Sequence, residues 1–214
     1  MRRTLILVLL CAWSLVGTAA ADQNATSTGP ESAAEKAFVT AIQADLMQRF
    51  PNAADAERAG YVRYTGVDDT GAISYANLQW DSVDAKHPSQ LWYDKNGKLL
   101  GADFSVPTTA TSPRPRLWGI DPGRWVEFDG HEHWVAKDAS GTITYDLWMP
   151  DSDFAKAGGN VEHPSAQTLV AAHKVASADQ VVTLFHFPTI WDLIVWVKPN
   201  PNGAFADKNP DVTP

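Results

Sequence analysis

The chain has 214 residues, and its 25 acidic and 17 basic residues give a formal net charge of −8. This acidic balance argues against nucleic acids and anionic membranes as partners, because both carry negative charge themselves. The single cysteine is Cys11. Because it lies in a segment that we expect to be removed, the rest of the chain is predicted to lack disulfides, thiolate nucleophiles and cysteine-ligated zinc.

Residues 1–21 are predicted to be a cleavable secretory signal peptide. Arg2 and Arg3 supply a basic start, residues 5–16 form an apolar run, and Ala19-Ala20-Ala21 supplies small residues at the cleavage site. The run is shorter than the roughly 20 residues that span a bilayer, and no later run approaches that length. We therefore expect an exported protein without a membrane anchor in its mature chain, located in a bacterial periplasm or the medium.

After a polar, flexible lead-in over residues 22–30, one globular domain is predicted over residues 31–214. Its first element is a helix over Glu31–Phe50, ended by Pro51. Ser32 and Glu35 form a capping box at its start. Apolar residues at every fourth position predict one buried stripe, made of Phe38, Ile42, Leu46 and Phe50.

Two β-hairpins are predicted next, over residues 91–106 and 124–136. Asn96-Gly97 would turn the first hairpin, and Asp129-Gly130 would turn the second with a two-residue loop. A further helix is predicted over Pro164–Val175 and an apolar strand over Ile190–Val197. The expected fold class is α+β: antiparallel hairpins with an N-terminal helix and a later helix packed on the sheet.

A shift of 70 residues aligns part of the chain with itself. Gly60, Asp68, Gly71 and Tyr75 recur as Gly130, Asp138, Gly141 and Tyr145. One interpretation is an internal duplication of a strand–turn–strand unit. The other is coincidence among common turn residues. A duplication predicts the same backbone conformation at Gly71 and Gly141.

The C-terminal segment resembles the end of a group of exported bacterial proteins of unknown function. The resemblance covers a tail of the form N-P-x-G-x-F-A-x-x-N-P-x-V, matched here by Asn200, Pro201, Gly203, Phe205, Ala206, Asn209, Pro210 and Val212. The hairpin Leu91–Pro107 is also similar to one in that group. The resemblance covers about a third of the chain and implies export and fold, but no activity. Ile194 stands where the group has a histidine.

The sequence Gly130-His131-Glu132-His133 is the strongest candidate for chemistry. Residues two apart on a strand share a face, so His131 and His133 would chelate one divalent metal ion through their imidazoles. Glu162 or His163 is the preferred third ligand, and His186 is the second choice. Under this hypothesis, replacing both His131 and His133 removes metal binding at little loss of stability. The alternative is two hydrogen-bonded structural histidines.

Nine tryptophans are many for this length. They indicate either a tryptophan-built core or an aromatic platform for a small ligand, for which Trp125, Trp134 and Trp148 are the candidates. No serine-hydrolase, phosphate-loop or dinucleotide motif is present in the sequence. Two hypotheses of function follow, and whether the protein is an enzyme stays open. The first is a non-catalytic exported protein that binds a small molecule in an aromatic-lined pocket, or an accessory protein. The second is a metal-binding protein or metal-dependent enzyme centred on His131-Glu132-His133.

Overall fold

A computed structural model describes residues 27–79, 84–109 and 111–214. The predicted signal peptide, most of the lead-in and Trp80 lie outside the described residues. The helices are α1 (Ala33–Arg49), α2 (Ala53–Arg58), α3 (Asp151–Lys156) and α4 (Ala166–Ala171). The strands are β1 (Tyr61–Arg63), β2 (Ile73–Asn77), β3 (Gln90–Tyr93), β4 (Leu99–Pro107), β5 (Val126–Phe128), β6 (His131–Lys137), β7 (Ile143–Pro150), β8 (Val181–Phe187) and β9 (Ile190–Trp196). The predicted α+β class is confirmed.

The strands form two antiparallel sheets. The large sheet has the order β1-β2-β3-β4-β9-β5, and the small sheet has the order β7-β6-β8. Strand β9 joins the large sheet between β4 and the edge strand β5, directly after β8 has completed the small sheet. Two connections join the sheets, Asp129-Gly130 before β6 and the link from β8 to β9. Both leave the small sheet at the same end, because His131 at the start of β6 pairs with Phe187 at the end of β8.

Helix α1 covers one face of the large sheet. The predicted capping box is present, with the Ser32 side chain accepting from the Glu35 main chain and the Glu35 side chain accepting from that of Ser32. The helix buries Val39, Ile42 and Leu46 in a core that also contains every second residue of the central strands: Leu91, Tyr93, Ala102, Phe104, Leu193 and Val195. The alternate residues of these strands must point to the other face.

The predicted hairpin over residues 91–106 is confirmed, because β3 pairs with β4. The predicted hairpin over residues 124–136 is wrong. Strand β5 pairs with β9 in the large sheet, whereas β6 pairs with β7 and β8 in the small one. Gly130 does not take the positive φ that a tight Asp-Gly turn requires. A Cβ there would lie 2.1 Å from an Asp151 carboxylate oxygen, so close packing accounts for this glycine.

The two segments of the suspected repeat share their turn. Gly71 and Gly141 have φ of +82° and +85°, and the carboxylates of Asp68 and Asp138 accept corresponding main-chain hydrogen bonds. The same arrangement recurs at Asp94, outside the repeat, where the carboxylate again accepts two main-chain bonds. Strands β1 and β2 pair antiparallel around the first turn and β6 and β7 around the second, as a duplication predicts. The same Asp-x-x-Gly turn also joins β3 and β4, so local turn chemistry explains the likeness equally well and the duplication stays a prediction.

The predicted helix Pro164–Val175 is shorter in the structure. It is α4, and it ends before His173, whose φ of +56° is left-handed and incompatible with a continuing helix. Helices α3 and α4 cover one face of the small sheet through Phe154 and Leu169, against Trp134 and Met149 of the strands. Among the described residues, no helix is long and apolar enough to cross a membrane.

The uncovered faces of the two sheets meet around Tyr64. This side chain belongs to a buried cluster with Ala76 of the large sheet and with Val135 and Phe187 of the small one. Asp146 also links the two regions, because its N–H donates to the Tyr64 carbonyl at 3.1 Å and its carboxylate accepts from the Gly66 N–H at 2.9 Å. The space between these faces is the candidate site.

Candidate functional site

A cavity of about 290 Å³ lies between the face of the large sheet that α1 does not cover and the small sheet. Its walls come from the alternate residues of β3, β4 and β9 and from one face of β6 and β8. The residues that carry the chemistry are Asp103, Asp192, His131 and His133, and the aromatic residues are Tyr64, Trp92, Phe128, Phe187 and Trp196. The rest of the lining is Thr65, Asp68, Thr70, Ala72, Ser74, Gln90, Ile190, Ile194 and Asp207.

Two buried carboxyl groups form the floor of the cavity. Asp103 on β4 and Asp192 on β9 are diagonal neighbours on paired strands, and their exposed fractions are 4% and 3%. Asp103 accepts a hydrogen bond from the Trp92 indole N–H at 2.9 Å, and Asp192 accepts one from the Ser105 hydroxyl at 2.7 Å. Ser105 is held in turn by Ser89 at 2.6 Å. Both carboxyl groups are thus fixed by neighbouring strands.

Burial makes these acids hard to ionise together. It raises the pKa of Asp103 well above its usual range, and the negative charge of Asp192 raises it further. Burial raises the pKa of Asp192 to about 6, although the hydrogen bond from Ser105 opposes the shift. Burial therefore disfavours ionisation of both acids at once and favours a state in which the pair keeps one proton and one negative charge.

The aromatic residues make the walls of the cavity. The Trp92 ring lies against Gly101, where a Cβ would come within 2.8 Å of it, and packs edge-on to Trp196 at 5.5 Å between ring centroids. The Trp196 indole N–H donates to the Ala206 carbonyl at 2.6 Å, which fixes that ring against the C-terminal segment. On the opposite wall, Tyr64 packs edge-on to Phe185 at 5.4 Å.

His131 and His133 lie side by side on one face of β6, as predicted, and both line the cavity. Their ring centroids are 4.8 Å apart, and the His133 ring stacks on Phe185 at 5.7 Å. Nδ1 of His131 lies 2.6 Å from the Asp129 carbonyl. Burial lowers the pKa of both imidazoles, that of His133 strongly, so both are neutral at pH 7.

The predicted third ligands do not join these histidines. Glu162 and His163 are exposed in the loop between α3 and α4. Within the described part of the chain, the group of His, Asp and Glu side chains that has metal-site spacing consists of Glu132, Asp151 and His186. His131 and His133 are not members of it.

The predicted aromatic platform does not form from the three tryptophans named for it. Trp125 is fully buried under α1, Trp134 is buried under α3 and α4, and Trp148 lies beside His131 at 6.1 Å between ring centroids without lining the cavity. Trp92 and Trp196 line it instead. Aromatic content alone does not reveal which tryptophans share a pocket, because this depends on how the sheets pair.

Sequence reasoning missed Asp103 and Asp192. Each is an acid within an apolar strand, in Leu99–Pro107 and in Ile190–Trp196, at a position whose neighbours face the core. An acid in such a strand is expensive to bury unless it has a partner or a function. That pattern was the available signal for both residues.

A second cavity of about 640 Å³ lies between residues 27–31 and the segment 201–207. Its main polar side chains already have partners within the chain. Glu31 accepts from the Ala204 N–H at 2.8 Å, and Arg124 donates to Glu35 at 3.1 Å. The cavity between the sheets is the better candidate because its carboxyl groups face one another rather than basic residues.

Comparisons with protein families, with curated proteins and with solved structures give no match for this chain. The C-terminal likeness to exported bacterial proteins therefore remains a resemblance. Function is inferred from the chemistry of the cavity.

Proposed function

We propose that this is an exported protein that binds a small organic cation, such as a protonated amine, in the cavity between its two sheets. The observation that carries the proposal is the buried pair Asp103 and Asp192, which faces a cavity with no lysine or arginine among its described lining residues. Export rests on the predicted signal peptide of residues 1–21.

The charge of the cavity favours a cation. Four aspartates line it, namely Asp68, Asp103, Asp192 and Asp207, whereas its two histidines are neutral at pH 7. The Asp103–Asp192 pair keeps one negative charge with little access to solvent, and a bound ammonium group would neutralise that charge. Hydrogen bonds to a charged group in such a site are stronger than those in water.

The aromatic walls suit the same ligand. The rings of Tyr64, Trp92 and Trp196 line the cavity, and the faces of aromatic rings attract organic cations. A volume of about 290 Å³ is at the lower end of small-molecule sites, which limits the ligand to a compact molecule. This retains the aromatic-lined pocket of the first sequence hypothesis, with different tryptophans.

Three probes of matched shape test the proposal: benzylamine, benzyl alcohol and benzoate. Titration at pH 7 is followed by tryptophan fluorescence, since Trp92 and Trp196 line the cavity. Benzylamine is expected to bind most tightly, benzyl alcohol more weakly, and benzoate least. Equal or tighter binding of benzoate would contradict the proposal, as would saturation by none of the probes.

The matched variants are Asp192→Asn and Asp153→Asn. Asp192→Asn removes the charge of the pair while keeping a similar shape, and it should weaken benzylamine binding roughly ten- to a hundred-fold. Asp153 is exposed and forms a surface ion pair with Lys156, so the same substitution there controls for net charge. Its benzylamine affinity should equal that of the unmodified protein.

A further inference from the structure

The face of β6 opposite the cavity carries a second group of ionisable side chains. Glu132 points away from His131 and His133, and its directly opposed residue on β8 is His186. Asp151, at the start of α3, reaches the same point. One ligand atom from each of these three side chains lies within 4.8 Å of the other two.

Glu132 is the unusual member of this group. Its exposed fraction is 0%, and neither of its carboxylate oxygens has a hydrogen-bond partner among the described residues. Oδ1 of Asp151 is also buried and unpaired within that part of the chain, while Oδ2 lies 3.1 Å from Nε2 of His186. A buried carboxylate without a partner is costly, and a second acid beside it increases the cost.

The local sequence is arranged to bring these groups together. Gly130 has no Cβ, and the Asp151 carboxylate occupies the space that a Cβ would take. The Asp151 N–H donates to the Gly130 carbonyl at 3.1 Å, which holds the start of α3 against the start of β6. The side chains of Asp151 and His186 are 31% and 13% exposed, so the group is reached from the surface past Asp151.

We propose that Glu132, Asp151 and His186 bind a divalent transition-metal ion. Two carboxylates and one imidazole suit Zn²⁺, Mn²⁺ or Fe²⁺, and three protein ligands leave coordination positions for water. An ion at about 2.1 Å from each ligand holds neighbouring ligand atoms roughly 3.0–3.5 Å apart. Small side-chain rotations from the present spacing reach that geometry. The ion would neutralise the two neighbouring acids.

This site has other ligands than a site on His131 and His133, and it lies on the other face of β6. It is also separate from the cavity proposed to bind a cation, because Glu132 and His133 point to opposite faces of β6. The two proposals therefore fail independently.

The test uses the full chain purified without a polyhistidine tag and stripped with a chelator. Zn²⁺ and Mn²⁺ are each titrated by calorimetry, and the metal content of unstripped protein is measured by elemental analysis. One equivalent is expected to bind per chain. Asp151→Asn and His186→Gln should each weaken binding about ten-fold or more, and Glu132→Gln should do the same if circular dichroism shows that it folds.

The control is the double substitution Glu162→Gln and His163→Gln, which removes an exposed acid and imidazole outside the group. It should bind the metal as the unmodified protein does. The proposal is overturned if neither ion binds at one equivalent, or if Asp151→Asn and His186→Gln bind with unchanged affinity. Loss of binding in the control would overturn it equally. Asp151 is partly exposed, so its variant tests the proposal even where Glu132→Gln does not fold.

Discussion

The two faces of strand β6 carry different chemistry although their residues alternate in sequence. His131 and His133 face a cavity with aromatic walls, where burial keeps the imidazoles neutral. Glu132, between them, faces away toward Asp151 and His186 beneath the helical layer. Adjacent residues of a strand point to opposite faces of the sheet, so neighbours in this sequence do not share one site. The sequence His131-Glu132-His133 therefore places its histidines at the cavity and its glutamate in the group with Asp151 and His186.

The largest expected effect concerns the cavity face, where the ring of His133 is part of the packing. Its centroid is 4.6 Å from that of Tyr64 and 5.7 Å from that of Phe185. His133→Ala should lower the free energy of unfolding by about 3 kcal/mol, because it leaves a void among aromatic rings. Urea denaturation measures this.

His163→Ala is the control for that variant, and it should be neutral because His163 is exposed. Zn²⁺ affinity of folded His133→Ala should stay unchanged if the two faces are separate. A stable variant that no longer binds Zn²⁺ would restore the histidine-pair hypothesis.

The next effect is on stability against pH. The folded-state pKa of Asp192 is about 6, above the model-peptide value of 3.8, so the folded chain holds this proton more tightly than the unfolded chain. Its contribution to stability is therefore favourable below about pH 4 and is lost as pH rises through 6. Asp192→Asn should be more stable than the unmodified protein at pH 8 by about 2–3 kcal/mol.

That difference should vanish near pH 4, as measured by urea denaturation at both values. The ionisable groups facing Asp192 in the cavity are Tyr64, Asp68, Asp103, His131, His133 and Asp207. Asp153→Asn, at an exposed position, should show no such gain. If Asp192→Asn is less stable than the unmodified protein at pH 8, the prediction is wrong. The protein itself would then stabilise the negative charge of Asp192 without a bound cation.

The smallest expected effect concerns the contact that holds the two regions together. Asp146 has a φ of +61° and joins residues 64–66 to β7. Asp146→Ala should lower the free energy of unfolding by about 1–2 kcal/mol, from the lost hydrogen bond and the left-handed backbone. Asp146→Asn keeps a side-chain acceptor and tolerates this φ, so it should lose less. Equal losses in the two variants would exclude this explanation.

Local patterns predicted much of the fold. The Ser32–Glu35 capping box begins α1, Asn96-Gly97 turns the β3–β4 hairpin, and the apolar run at 190–197 becomes β9. Each depends on residues close in sequence. The prediction of an Asp129-Gly130 hairpin is wrong because a glycine is required at position 130 by close packing against Asp151, not by a turn. No local sequence pattern reveals that contact.

The candidate site was predictable only in part. Strand alternation placed His131 and His133 on one face beside a concavity. The acids opposite them, Asp103 and Asp192, come together because β9 inserts between β4 and β5 after the small sheet is complete. That long-range pairing has no signature in the sequence around either aspartate. The same holds for Asp151 and His186, which reach Glu132 from separate elements.

The most direct test of the cation-binding claim is a crystal structure of the protein with benzylamine. The amine nitrogen is expected within about 3 Å of a carboxylate oxygen of Asp103 or Asp192, with the phenyl ring against Trp92 or Tyr64. A structure in which benzylamine fills the cavity with its nitrogen turned away from both aspartates would contradict the account. So would a cavity that stays free of benzylamine at saturating concentration.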